Sequence, residues 1–271
     1  MKDKKTLLFP TDFSPRASKA LDQAIDFAQK FDYKLFIYHV YHRPIVTEGT
    51  STTLLRQVEG KAEKNFQNLE KKHPNLKNVS YKCKKELGIS IDSIVSTAKK
   101  EEVELIIMAT KGAKGFGELW GTKTAKIIKS VSIPVLVIPD NSSISGIDKV
   151  GLACDYSMKT DYDQLSFLIK IAKKLKLDVD VITLNRDEKT MTPGELKNRE
   201  LMKSQFKKKG TSFSFTFNNN IEEGIIKYCT QNDIGLIAIL PKSYSYIRSI
   251  FHESLTEKML FHSPLPLLVL K

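Results

Sequence analysis

Apolar positions fall into two kinds of window along the chain. Short, nearly continuous runs such as LFIYHV, ELIIMA and PVLVI alternate with longer stretches in which apolar residues recur at helical spacing, as in SPRASKALDQAIDFAQKF. The runs predict strands over 5–10, 34–40, 78–84, 104–109 and 134–138. The periodic stretches predict helices over 15–31, 51–72, 90–101 and 121–131. Nearly continuous apolar strands suit a sheet buried on both faces, hence parallel strands with crossover helices. Right-handed crossovers then put helices on both faces, giving an α/β doubly wound fold.

The pattern starts a second time. TLLFPTDFSPRASKALDQAIDFAQKFDYKLFIYHV opens the chain, and KVGLACDYSMKTDYDQLSFLIKIAKKLKLDVDVITL begins again after residue 148. Asp12 and Asp155 are equivalent within an Asp-aromatic-Ser turn, and SVSIPVLVIPD (130–140) matches HSPLPLLVLK (262–271). Second-half strands are predicted over 148–153, 179–184, 211–217, 235–240 and 266–270. The expectation is two tandem doubly wound, five-stranded parallel-sheet (Rossmann-like) domains, 1–142 and 146–271, joined at the polar, turn-rich DNSSISG.

Composition narrows the classes. With 271 residues, 41% apolar, 27% charged and 9% aromatic, the chain is ordinary globular protein, not collagen-like, low-complexity or wholly disordered. The net charge of +12 invites a nucleic-acid reading. The lysines, however, are spread through segments such as KAEKNFQNLEKKH, mixed with acids, which reads as a solvated surface that still favours an anionic ligand. No apolar stretch reaches membrane-spanning length, and no secretory signal is read at the start. Cys83, Cys154 and Cys229 lack CxxC spacing. The expectation is therefore a cytoplasmic protein without nucleic-acid or membrane partners.

Two loops could carry chemistry. Pro10-Thr11-Asp12-Phe13-Ser14 follows the first strand, and the run from Met108 to Thr122, with glycines at 112, 115, 117 and 121, follows the fourth. Strand order 3-2-1-4-5 would set these loops across one crevice, where open parallel sheets bind ligands. The glycines permit close backbone approach. Gly121-Thr122 is read as opening a helix whose free N–H groups favour an anion, and Lys111, Lys114 and Lys123 add charge. A plain flexible loop before a threonine-capped helix accounts for the same residues. Asp12 suits a ribose contact or a helix cap, and both remain open. The P-loop pattern fails at Glu118, and the dinucleotide fingerprint fails at Trp120. His39 and His42 lack further metal ligands, Cys154 reads as a reactive thiol or a small packed residue, and no nucleophile elbow occurs.

These residues resemble the universal stress protein family in its tandem form. The resemblance rests on LLFPTDFS, IYHV and LGISIDSIVSTAKKEEVELIIMATKGAKGFGELWGTKTAKIIKSVSIPVLVIP, and more loosely on GLACDYS and SIFHESLTEKMLFHSPLPLLVL. It implies an adenine nucleotide, ATP or AMP, in the first domain, with Mg²⁺ only alongside ATP. Pro10, Thr11 and Asp12 would line the adenosine side, Val40 would meet adenine through its backbone, and Met108 would pack nearby. Ala109 takes the place of the first glycine of the family motif, and Gly112, Gly121, Thr122, Lys123 and Thr124 would surround phosphate. The motif departs from the family twice, at Ala109 and in the eight residues, not nine, between Gly112 and Gly121. In the second domain Ser243 and Glu253-Ser254 stand in the phosphate positions, so no nucleotide is expected there. The resemblance further implies an internal pseudo-dimer paired through the last strands, with which a further homodimer is compatible. The implied role is stress response or signalling, not fast catalysis, since no general base is placed and any ATP hydrolysis would be slow. The alternative is a nucleotide-free scaffold.

Overall fold

The computed structural model describes residues 4–42, 51–110, 118–157, 162–185, 187–206, 210–240, 259 and 263–271. The chain forms two compact units, one comprising Met1–Thr110 with Gly117–Val135 and the other containing Leu136–Lys271. The division falls inside a strand, so residues 136–142 group with the second unit, whereas the sequence expectation draws the boundary after them.

The first unit alternates strand and helix: β1 (Thr6–Pro10), α1 (Pro15–Phe31), β2 (Lys34–Tyr41), α2 (Ser51–Gln67), α3 (Leu69–Lys72), a 3-10 turn (Pro74–Asn78), β3 (Tyr81–Leu87), α4 (Ser90–Lys100), β4 (Val103–Thr110) and α5 (Glu118–Ser130), before β5 (Val135–Pro139). Its strands run β3-β2-β1-β4, all parallel, with Leu8 in register with Phe36 on one side and Ile106 on the other. Leu7, Leu8 and Phe9 are fully buried in succession, which happens only when both faces of a strand are covered. The predicted adjacency of strands one and four is therefore present.

Helix α1 shows why the local sequence folds as it does. Ser14 accepts the Ala17 N–H at its N-cap, Pro15 occupies the first turn, and Asp32 ends it in a left-handed conformation. The apolar stripe Ala17, Ala20, Leu21, Ala24, Ile25 and Ala28 is its buried face. The single helix expected over 51–72 is instead broken at Asn68, whose side-chain amide donates to the Lys64 carbonyl, and a 3-10 turn anchored by buried Leu76 follows. That turn consumes residues 74–78, so β3 starts at Tyr81 rather than at 78.

The second unit repeats the order: β6 (Lys149–Ala153), α6 (Tyr162–Leu175), β7 (Asp178–Leu184), a 3-10 turn (Glu188–Thr190), α7 (Pro193–Gln205), β8 (Thr211–Thr216), α8 (Ile221–Gln231), β9 (Leu236–Ile239) and β10 (Leu267–Val269). Its strands run β8-β7-β6-β9-β10, again parallel. This is the 3-2-1-4-5 arrangement in full, so both halves carry a Rossmann-like α/β fold in tandem. Thr192 and Glu195 form a reciprocal capping box that starts α7 and explains the burial of Glu195. Buried Asp180 is satisfied by the hydroxyls of Ser214 and Tyr228, at 2.8 and 2.9 Å. Among the described residues no helix is long and apolar enough to cross a membrane.

Cys229 is fully buried on α8, and burial, with a smaller contribution from Asp180, pushes its thiol up to about 12. At pH 8 it should resist iodoacetamide in the folded protein and react once urea unfolds the chain, as adduct masses of the tryptic peptide will record.

Candidate functional site

The site begins at the turn between β1 and α1. The Thr11 N–H donates to the Tyr38 carbonyl at 2.9 Å, and Nδ1 of His39 bonds the Thr11 carbonyl at 2.7 Å, so the turn hangs on the end of β2. Phe13 then takes φ 57°, a left-handed conformation that costs a bulky residue about 1–3 kcal/mol. Two side chains offset this strain. The Thr11 hydroxyl accepts the Phe13 N–H at 3.0 Å, and Asp12 Oδ1 accepts the Ser14 N–H at 2.9 Å. The Phe13 ring packs against His39 and edge-on to Phe66 of α2, with centroids 4.8 and 5.0 Å away. Asp12 thus caps the turn while its carboxylate stays at the surface, where Arg16 Nη2 lies 3.8 Å from Oδ2.

This turn forms one wall of a cleft with a cavity of about 90 Å³, open to solvent at the carboxyl ends of the strands. Pro10, Thr11 and Asp12 come from β1 and its turn, Arg16 and Ala17 from α1, and Tyr38 and Val40 from β2. Met108 and Ala109 come from the end of β4. Helix α4 presents Ser90, Ile91 and Ile94, and α5 presents Lys123, Thr124 and Ile127. Gly88 lets the β3–α4 turn close in, because its N–H donates to the Tyr41 carbonyl and a Cβ there would meet Ser93 Oγ at 2.5 Å. Ser90 Oγ and His42 Nε2 are 2.9 Å apart on the rim.

The cleft combines apolar walls with a small set of polar groups. Among its described lining residues the cations Arg16 and Lys123 outnumber the carboxylate Asp12. Burial, above all, raises the Tyr38 hydroxyl from its ordinary range, so that group stays neutral. Such a lining suits a small molecule with an apolar body and an anionic part.

Of the residues proposed from sequence, Pro10, Thr11, Asp12, Val40, Met108, Ala109, Lys123 and Thr124 lie together around this one cleft. Gly112 lies outside the described residues, as do Ser243, Glu253 and Ser254 of the second half. Gly121 and Thr122 are in α5, which starts at Glu118; they sit inside its first turns and do not open it as expected. The helix-forming Glu118 and Leu119 extend it backwards, and one interior glycine costs it only about 1 kcal/mol. Arg16, Ser90, Ile91, Ile94 and Ile127 were not foreseen. For two of them a signal existed, because Arg16 is four residues from Asp12 at a helix entry and Ile127 is one turn beyond Lys123 and Thr124. His39 and His42 bond a carbonyl and a hydroxyl, and among the described residues no group of three or more His, Cys, Asp or Glu could hold a metal ion.

The second unit builds the same turn without making it diagnostic. Cys154 N–H donates to the Ile182 carbonyl, Tyr156 N–H to Cys154 Sγ, and Ser157 N–H to Asp155 Oδ1, with Tyr156 at φ 55°. Asp-aromatic-Ser is therefore first a device of the fold.

The sequence profile of the Universal stress protein family matches residues 4–139. A universal stress protein of Methanocaldococcus jannaschii is 30% identical over 157 residues, which span 51% of this chain and 97% of that protein. A second from the same archaeon is 29% identical over 139 residues, 49% of this chain and 81% of its own length. A crystal structure of a universal stress protein from Archaeoglobus fulgidus superposes with a TM-score of 0.79 over 98% of both chains at 17% identity, a likeness of fold across both halves.

Because the Thr11 hydroxyl holds the strained Phe13 amide in a buried position, Thr11→Val should lower stability by about 1–3 kcal/mol in urea unfolding. Thr11→Ser, which keeps the acceptor, should recover most of it.

Proposed function

The chain belongs to the universal stress protein family, and on that premise we propose that its first unit binds an adenine nucleotide, ATP or AMP, in the cleft at the ends of β1, β2 and β4. The observation that carries this reading is the convergence of Pro10, Thr11, Asp12, Val40, Met108, Ala109, Lys123 and Thr124 on that cleft, although they come from four separate elements. In this reading Val40, Met108 and the α4 isoleucines enclose the base, Asp12 accepts from the ribose, and Lys123 and Thr124 meet phosphate with the start of α5. Mg²⁺ accompanies only ATP. The bound nucleotide sets a conformation that serves a stress response or signalling in the cytoplasm, and the protein is a binder, not a catalyst. The second unit takes no nucleotide.

Equilibrium titration with fluorescently labelled ATP and AMP tests the reading. Saturable binding at one site per chain is expected, with Asp12→Ala weakening it about tenfold or more and the equivalent Asp155→Ala leaving it unchanged. Absence of saturable binding up to millimolar nucleotide would overturn it in favour of a nucleotide-free scaffold.

A further inference from the structure

We propose that the outer edge of β8 is a self-association surface, through which two copies of this chain pair antiparallel about a two-fold axis at Ser214. Strand β8 ends the strand order of the second unit, and among the described residues no strand lies beyond it. The Val179 N–H donates to the Gly210 carbonyl, and the Asn185 N–H to the Thr216 carbonyl. In a parallel ladder such bonds alternate, so residues 210, 212, 214 and 216 face β7, whereas Thr211, Phe213 and Phe215 turn their N–H and C=O groups outward. Both faces of the strand are covered within the unit. Arg199 and Lys203 of α7 lie over the Phe215 and Phe213 rings, and Ser214 shares Asp180 with Tyr228 of α8. The edge is what remains to be paired.

Proteins ordinarily blunt such an edge with charge or proline. Strand β3, the corresponding outer strand of the first unit, does so with Lys82, Lys84 and Lys85 in YKCKKEL. Strand β8, TSFSFT, carries neither, and Phe217 just beyond it is 66% exposed. The run is also self-complementary, because Thr211–Phe217 reads TSFSFTF, nearly the same in both directions about Ser214. Antiparallel pairing centred there sets Phe213 against Phe215 of the second copy, Ser212 against Thr216, and Thr211 against Phe217, so the exposed ring gains cover. No charge within the run repels its counterpart, and the two-fold closes the assembly at two chains. None of these residues lines the cleft of the first unit.

Sedimentation velocity of the full chain over the micromolar range should show a concentration-dependent monomer–dimer equilibrium. Ser212→Lys and Phe217→Lys, both at exposed positions, should each raise the dissociation constant about tenfold or more while melting midpoints show the chain still folded. Oxidative cross-linking in a Cys83→Ser background, which removes the exposed native thiol, reads the register. Ser212→Cys and Thr216→Cys should each stay uncross-linked alone and form a disulfide-linked dimer when mixed, since the two positions face each other across a non-hydrogen-bonded pair. A chain that stays monomeric throughout, a dimer indifferent to both lysines, or either cysteine variant cross-linking alone as readily as the mixture would overturn this pairing.

Discussion

A left-handed phenylalanine sits at the root of the candidate site. The chain leaves the centre of a parallel sheet at Pro10 and must turn at once into α1, and Phe13 at φ 57° makes that turn. The conformation is unfavourable for a bulky residue, so it persists only because the surroundings over-determine it. Thr11 and Asp12 satisfy the amides of the turn, Ser14 caps the helix, and the ring is held between His39 and Phe66. The same arrangement leaves the outer oxygen of Asp12 and the side chain of Arg16 at the cleft. The polar groups that could meet a ligand are thus by-products of how the backbone is reconciled with its own hydrogen bonds.

The parallel sheet sets where the cleft lies. With β1 between β2 and β4 and the three strands parallel, the carboxyl ends of β1 and β4 lie side by side at one edge of the sheet. Apolar side chains line the walls because the strands are buried on both faces almost to their ends: Met108 and Tyr38 belong to the core and to the cleft alike. A ligand there would continue the core rather than rest on a surface.

The repeated turn in the second unit separates fold from function. Asp155, Tyr156 and Ser157 reproduce the hydrogen bonds of Asp12, Phe13 and Ser14, yet Tyr156 is buried on a different set of partners: the Asn198 side-chain amide donates to its carbonyl at 2.9 Å, and burial pushes its hydroxyl up to about 12. Duplication preserved the device that starts the first helix of each unit, while the side chains behind it diverged. For this reason the turn by itself argues for descent and for a shared fold. The nucleotide reading leans instead on the residues from β2, β4 and α5 that join it in the first unit.

Much of this was readable in the chain before any coordinates. Strand positions in both halves and the α/β class follow from apolar periodicity, since a strand buried on both faces leaves an unbroken apolar run that few other structures need, whereas which strands flank β1 is not written in that pattern. The first half of the candidate site was readable for a similar reason: Pro10, Thr11 and Asp12 are contiguous, and the end of a strand is visible locally. What the linear pattern could not decide was contributed by elements remote in sequence. Ser90, Ile91 and Ile94 reach the cleft because α4 packs beside α5, and the 3-10 turn over 74–78, which delays β3 to Tyr81, leaves no periodic signal in the sequence. Burial pattern is a one-dimensional record of the sheet, whereas the identity of a pocket's far wall depends on how helices pack across it, and that is settled only in three dimensions.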